Sequence, residues 1–186
     1  MEQSLAIWML IGLSLITANL PFILQRPLLA LPWAQKGEPA RPSVLRWLES
    51  LIFFALLYGV SWLAYDVISG TLIMSTDAMS VVTFYGKIIA YIAVLAGLMF
   101  YPGWRTRHHQ IEKSFLARLI ELFVFFLAVG VLAFSFEMNL GNRFTQTWEF
   151  YAINGSLFVI LGFPGFVFRY LMKRSKPRRA HRPVSS

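Results

Sequence analysis

Apolar and polar positions fall along this chain in long blocks rather than in alternation. Five predominantly apolar stretches run over approximately 4–24, 46–66, 80–101, 117–137 and 149–171. Each matches the roughly 20 residues that a helix needs to span about 30 Å of hydrocarbon. Punctuation flanks every block: QRP after the first, RPS before the second, YPGWR after the third, KS before the fourth and a basic run after the fifth. The pattern predicts an all-α polytopic membrane protein, with five transmembrane helices forming one domain over residues 1–172.

Composition supports that reading. Hydrophobic residues make up 57% of the chain and charged residues 14%, and the mean hydropathy is +0.59, too apolar for a water-soluble domain to cover its own surface. The absence of cysteine excludes disulfides, thiolate nucleophiles and cysteine-ligated metals. Lysine and arginine set the expected orientation, because cytoplasmic loops retain them. Arg143 stands alone in the loops on one side, whereas Arg26, Lys36, Arg41, Arg46, Arg105, Arg107, Lys113, Arg118 and the run from Arg169 to Arg182 lie on the other. An outside N-terminus and an inside C-terminus follow. Glu2 replaces the positive flank of a cleavable signal, so the first block is expected to stay in the membrane.

The chain also repeats itself. At an offset of 72 residues, RWLESLIFF (46–54) overlies RLIELFVFF (118–126), matching Arg46 to Arg118 and Glu49 to Glu121. The third and fifth blocks each open with Phe-Tyr (Phe84–Tyr85, Phe150–Tyr151) and close with Pro-Gly (Pro102–Gly103, Pro164–Gly165). One initial helix is thus followed by a hairpin made twice, over 43–107 and 115–174. Both copies enter from the same side, as parallel rather than inverted repeats.

A single lysine, Lys87, sits within the third block. Its long stem can snorkel toward the outer face, where Asp66, Asp77, Glu137 and Glu149 offer counter-charges. Gly86, Ala90, Ala93 and Gly97 form a small-residue stripe at helical spacing, suited to close helix approach, and Lys87 borders it. The expectation is an ammonium turned into the bundle, as an ion pair or anchor; a fixed charge on an ion path is the functional alternative. The second hairpin carries Asn154 at the matching depth, a neutral amide that argues against two equivalent ion sites. Its Asn-Gly-Ser sequon lies inside an apolar block and is spurious as a glycosylation site.

Glu49 and Glu121 each follow an arginine by three residues, Arg46 and Arg118. Pairing on the same helix face near the helix start is the expected role, with acid–base chemistry the lesser alternative because no nucleophile accompanies them. His108 and His109 are adjacent, diverge by about 100° on a helix, and form no metal pair. The segment 173–186 reads as a basic, disordered cytoplasmic tail that, with the basic inner loops, binds anionic lipid headgroups rather than nucleic acid. No enzyme motif, metal site or cofactor is indicated.

The stretches ANLPF (18–22), RLIEL (118–122), WEFY (148–151) and FPGFVFRYL (163–171) together resemble a family of small, uncharacterised proteobacterial inner-membrane proteins, a domain of unknown function. Its members have three spans, and their genes lie beside those for the membrane arm of the proton-pumping NADH:quinone oxidoreductase, respiratory complex I. The resemblance covers the first block and residues 114–175 and leaves the middle third out. It implies that Asn19, Pro21, Trp148, Glu149, Phe150, Tyr151, Pro164, Gly165 and Arg169 are characteristic positions. Pro21 should kink or end the first helix, and Trp148 and Tyr151 should sit at the outer interface. It further implies the inner membrane and complex I as a neighbour.

These readings lead to a non-enzymatic accessory or assembly protein that packs against other membrane proteins. The aromatic-rich second and fourth blocks, including Tyr58, Trp62, Phe123 and Phe126, add to that expectation. A small transporter or ion-conducting protein using Lys87 is one alternative. A lipid- or quinone-binding protein using the aromatic faces is another.

Overall fold

A computed structural model describes residues 2–69, 78–109, 111–139 and 146–172. The helices are α1 (Glu2–Ile23), α2 (Ser43–Ser69), α3 (Ala78–Arg105), α4 (Phe115–Asn139), α5 (Trp148–Leu161) and the short α6 (Phe163–Val167), followed by a π-helical turn, Phe168–Met172. The expected tail over 173–186, Asp77 and Arg143 lie outside the described residues. Four helical stretches, Ser43–Ser69, Met79–Arg105, Phe115–Met138 and Trp148–Met172, are long and apolar enough to cross a membrane. The first helix is apolar over the shorter stretch Ile7–Ile23. Each expected apolar block corresponds to one of these helical stretches; the last four run one to four residues beyond the block, whereas the first ends at Ile23, one residue short of it.

The fourth helix is central, packing on α1 along one side and α2 along another; α3 lies against α2, while α5 and α6 lie against α1. One apolar cluster, containing Phe22, Leu28, Leu29, Phe53, Met99, Leu122 and Phe125, fills the end where the 24–42 segment folds back. A second, containing Ile68, Phe84, Ile88, Tyr91, Leu132 and Phe136, fills the opposite half. Much of the outer surface is apolar too: Trp8, Tyr58, Trp62, Ile89 and Ile160 are all more than 60% exposed. A water-facing monomer rarely shows so much continuous apolar surface.

On α3 the large buried side chains are Phe84, Ile88, Tyr91 and Met99. The small-residue stripe runs two positions away from them, about half a turn around the helix at 100° per residue. Gly86, Ala90, Ala93 and Gly97 are accordingly all exposed, and a methyl group built on Gly86 or Gly97 would touch nothing within 4 Å. The stripe suited to close helix approach therefore faces outward rather than into the bundle. The bulky face buries more apolar area and takes the interior, leaving the small residues outside. Lys87, between the two faces, is half-buried. Its ammonium donates to the carbonyl of Val67 near the end of α2 at 3.4 Å.

Candidate functional site

The ends of α1, α3 and α6 meet the starts of α2 and α4 at one end of the bundle, together with the 24–42 and 111–114 segments. Apolar residues pin the first of these segments down: Leu28 and Leu29 are almost wholly buried. The Glu112 N–H then donates to the Lys36 carbonyl at 2.9 Å, and the Ser114 N–H donates to Gln35 Oε1 at 2.9 Å.

Pro21 lies within the last turn of α1, which stops two residues later at Ile23. The last carbonyls of a helix have no intrahelical partner. Here Arg118 supplies one, donating from Nη1 to the carbonyls of Pro21 at 2.8 Å and Phe22 at 3.2 Å. Glu121, one turn further along α4, accepts from Lys113 Nζ at 2.5 Å and from the Leu28 N–H at 2.8 Å. Lys113 also donates to the carbonyl of Leu24. All three side chains are buried. Burial pushes the Lys113 ammonium below its usual range, and the Glu121 carboxylate beside it opposes that shift.

The first copy of the motif is built alike but lies nearer the surface. Glu49 accepts from Arg41 at 3.3 Å and from Arg105 at 3.0 Å, while Arg46 stands 4.0 Å from Glu38. The expected pairing of each glutamate with the arginine three residues before it is therefore corrected in both copies. Helical side chains lean toward the N-terminus, so Arg46 and Arg118 point away from Glu49 and Glu121. Each carboxylate is reached instead by a cation eight residues earlier, Arg41 or Lys113. Sequence reasoning passed over this third position, although the same offset of 72 residues joins Arg41 to Lys113.

The family-like residues gather nearby. In an unbroken helix the Gly165 N–H would bond the Leu161 carbonyl four residues earlier. The Asn19 side chain takes both partners: Oδ1 accepts from Gly165 at 2.6 Å, and Nδ2 donates to Leu161 at 2.8 Å. A methyl group at Gly165 would meet Asn19 Oδ1 at 2.8 Å, so only glycine permits this approach. Gly103 has a parallel role, since a methyl group there would meet the Pro27 carbonyl at 2.9 Å. Both Pro-Gly pairs thus let a helix end close on the chain at or just after the end of α1. Arg169 lies in the π-helical turn, half-buried.

Of the remaining positions, those of α5 lie away from this end, whereas His108 and His109 follow α3 beside it. Trp148, Glu149 and Tyr151 are exposed near the start of α5, and Phe150 is half-buried there. Asn154 turns its amide back to the Phe150 carbonyl at 2.8 Å, within its own helix. His108 and His109 are exposed. Among the described residues, no three His, Cys, Asp or Glu side chains gather as a metal site requires.

A family model described as "Protein of unknown function (DUF2818)" matches the chain twice, over residues 6–108 and 88–173. The chain belongs to this family. The first match takes in α1, α2 and α3, and the second runs from the middle of α3 through α4 to the π-helical turn. The middle third, which the short motifs had left out, is therefore part of the family match, and the two overlapping matches are consistent with a duplicated region. No curated protein and no solved structure matches the chain.

Proposed function

We propose that this chain is a non-enzymatic accessory or assembly protein of the bacterial inner membrane. It packs against other membrane proteins, the membrane arm of the proton-pumping NADH:quinone oxidoreductase first among them, with its N-terminus outside and C-terminus inside. The observation that carries the reading is the outer face of α3. Gly86, Ala90, Ala93 and Gly97 are exposed there along three turns, and no described residue beyond the adjoining helix turns comes within 4 Å of a methyl group built at either glycine. In hydrocarbon such a face gains little from lipid, but lets a second helix approach backbone to backbone. The choice of complex I rests on the family resemblance.

Purification of a tagged copy in mild detergent is the test. Quinone-oxidoreductase subunits should accompany the protein and fall away when Gly97 is replaced by leucine. Recovery of the protein without them removes that partner, and a partner list indifferent to Gly97→Leu removes the α3 face as the contact.

A further inference from the structure

Between the 24–42 segment, α2 and the end of α3 lies a cavity of about 250 Å³. Its polar wall carries Gln35, Glu38, Arg41, Arg46, Glu49 and Arg105. Two residues of that wall each hold a buried donor without a partner, Gln35 at Nε2 and Arg46 at Nε. Gln35 is itself only 8% exposed, and its Oε1 is already committed to the Ser114 N–H. A buried donor left unsatisfied is costly, and two in one cavity call for an acceptor from outside the chain.

The repeat sharpens the point. In the second copy, Arg118 meets the free carbonyls of Pro21 and Phe22 at the end of α1. In the first copy, Arg46 occupies the equivalent position and faces the cavity wall, with Glu38 4.0 Å away. Arg118 Nε is bare as well, but its Nη1 reaches two carbonyls, whereas the Arg46 side chain makes no hydrogen bond among the described residues.

Charge and shape narrow the occupant. Three arginines against two carboxylates leave the wall net positive, which favours an anion over a neutral carbonyl compound. The remaining wall is apolar and includes Phe53, Leu56 and Tyr101. Ile52 and Leu56 line the cavity and are also about half exposed on the outside of α2, so an alkyl chain can pass from the cavity onto the apolar exterior of the bundle. We infer that this cavity binds an anionic glycerophospholipid, with its phosphate at Gln35 and Arg46 and an acyl chain running along Ile52 and Leu56.

The test is native mass spectrometry of the delipidated full chain in neutral detergent, titrated with phosphatidylglycerol and with phosphatidylcholine of the same acyl chains. Phosphatidylglycerol should be retained roughly tenfold better, in line with charge-assisted bonds to arginine. Gln35→Glu keeps the oxygen that caps Ser114 but turns the bare donor into an anion, and should abolish the preference. Arg46→Lys keeps the charge beside Glu38 but removes Nε, and should reduce the preference several-fold. Equal retention of the two lipids by the unaltered chain, which needs no variant to read, overturns the inference. So does a preference that survives both substitutions. Displacement of the lipid by inorganic phosphate at matching concentration would make the site one for free phosphate, and displacement by a neutral quinone would make it a quinone site; either result also overturns the lipid.

Discussion

Asn19 and Gly165, 146 residues apart, are joined by a 2.6 Å hydrogen bond in which a side chain does the work of a broken helix. The amide of Asn19 fills the gap between Leu161 and Gly165, so α1 is locked to the α5–α6 break by two bonds at once. Proline at 164 has no N–H to continue the helix, and glycine at 165 leaves room for the amide.

Replacing Asn19 with leucine should therefore destabilise the fold by about 2–4 kcal/mol, because two buried backbone groups lose their partners together. Gly165→Ala should cost about 1–3 kcal/mol through overpacking against Asn19. Thermal unfolding in detergent followed by circular dichroism measures both. Since the two act on one contact, the double variant should fall well short of the sum.

The two glutamates of the repeat should respond unequally. Removing Glu121 leaves the Lys113 ammonium buried without its carboxylate, and Glu121→Ala should cost about 3–5 kcal/mol. The side chains of Arg41, Glu49 and Arg105 are 25–45% exposed, so Glu49→Ala should cost no more than about 1 kcal/mol. Paired denaturation curves decide this, and similar losses at the two sites would contradict the difference in burial.

Arg118 closes the end of α1, and lysine cannot match its reach to two successive carbonyls. Arg118→Lys should lower stability by about 1–3 kcal/mol and loosen the end of α1 first. Hydrogen exchange resolved by residue is the measurement, with the amides of residues 20, 22–24 and 28 expected to exchange earliest.

The α3 face makes the opposite prediction. Gly97 has nothing within 4 Å of a built methyl group, so Gly97→Leu should leave the isolated chain as stable as before, within about 0.5 kcal/mol. Its effect should appear only in the yield of co-purified partners. A large drop in melting temperature would mean that this face is already covered within the chain.

Orientation can be read with thiol chemistry, because the chain has no cysteine of its own. A cysteine at Ser175 should react with a membrane-impermeant maleimide only after cells are opened, whereas one at Gln146 should react in intact cells. The reverse pattern would invert the proposed threading.

The positions of the helices were legible in the chain alone. Hydrocarbon-length apolar blocks and their flanking prolines, glycines and charges act locally, and each expected block overlies an observed helical stretch to within a few residues at its ends. The duplication was legible for the same reason, since an offset of 72 residues aligns Arg46 with Arg118 and Glu49 with Glu121 whatever they touch. Partnerships were not legible. Small residues at helical spacing say that a helix has a thin face, but whether that face turns inward depends on the bulkier residues half a turn away. An Arg-x-x-Glu spacing suggests a local pair, but the arginine of the second copy is taken by carbonyls that α1 brings from almost a hundred residues away. Only the folded chain decided that Lys113 and Glu121 would be buried while Arg41 and Glu49 stay near the surface, and that a cavity would open beside Arg46. Backbone helicity in an apolar stretch is set by nearby residues, whereas the satisfaction of a buried polar group depends on whichever distant segment packing delivers to it.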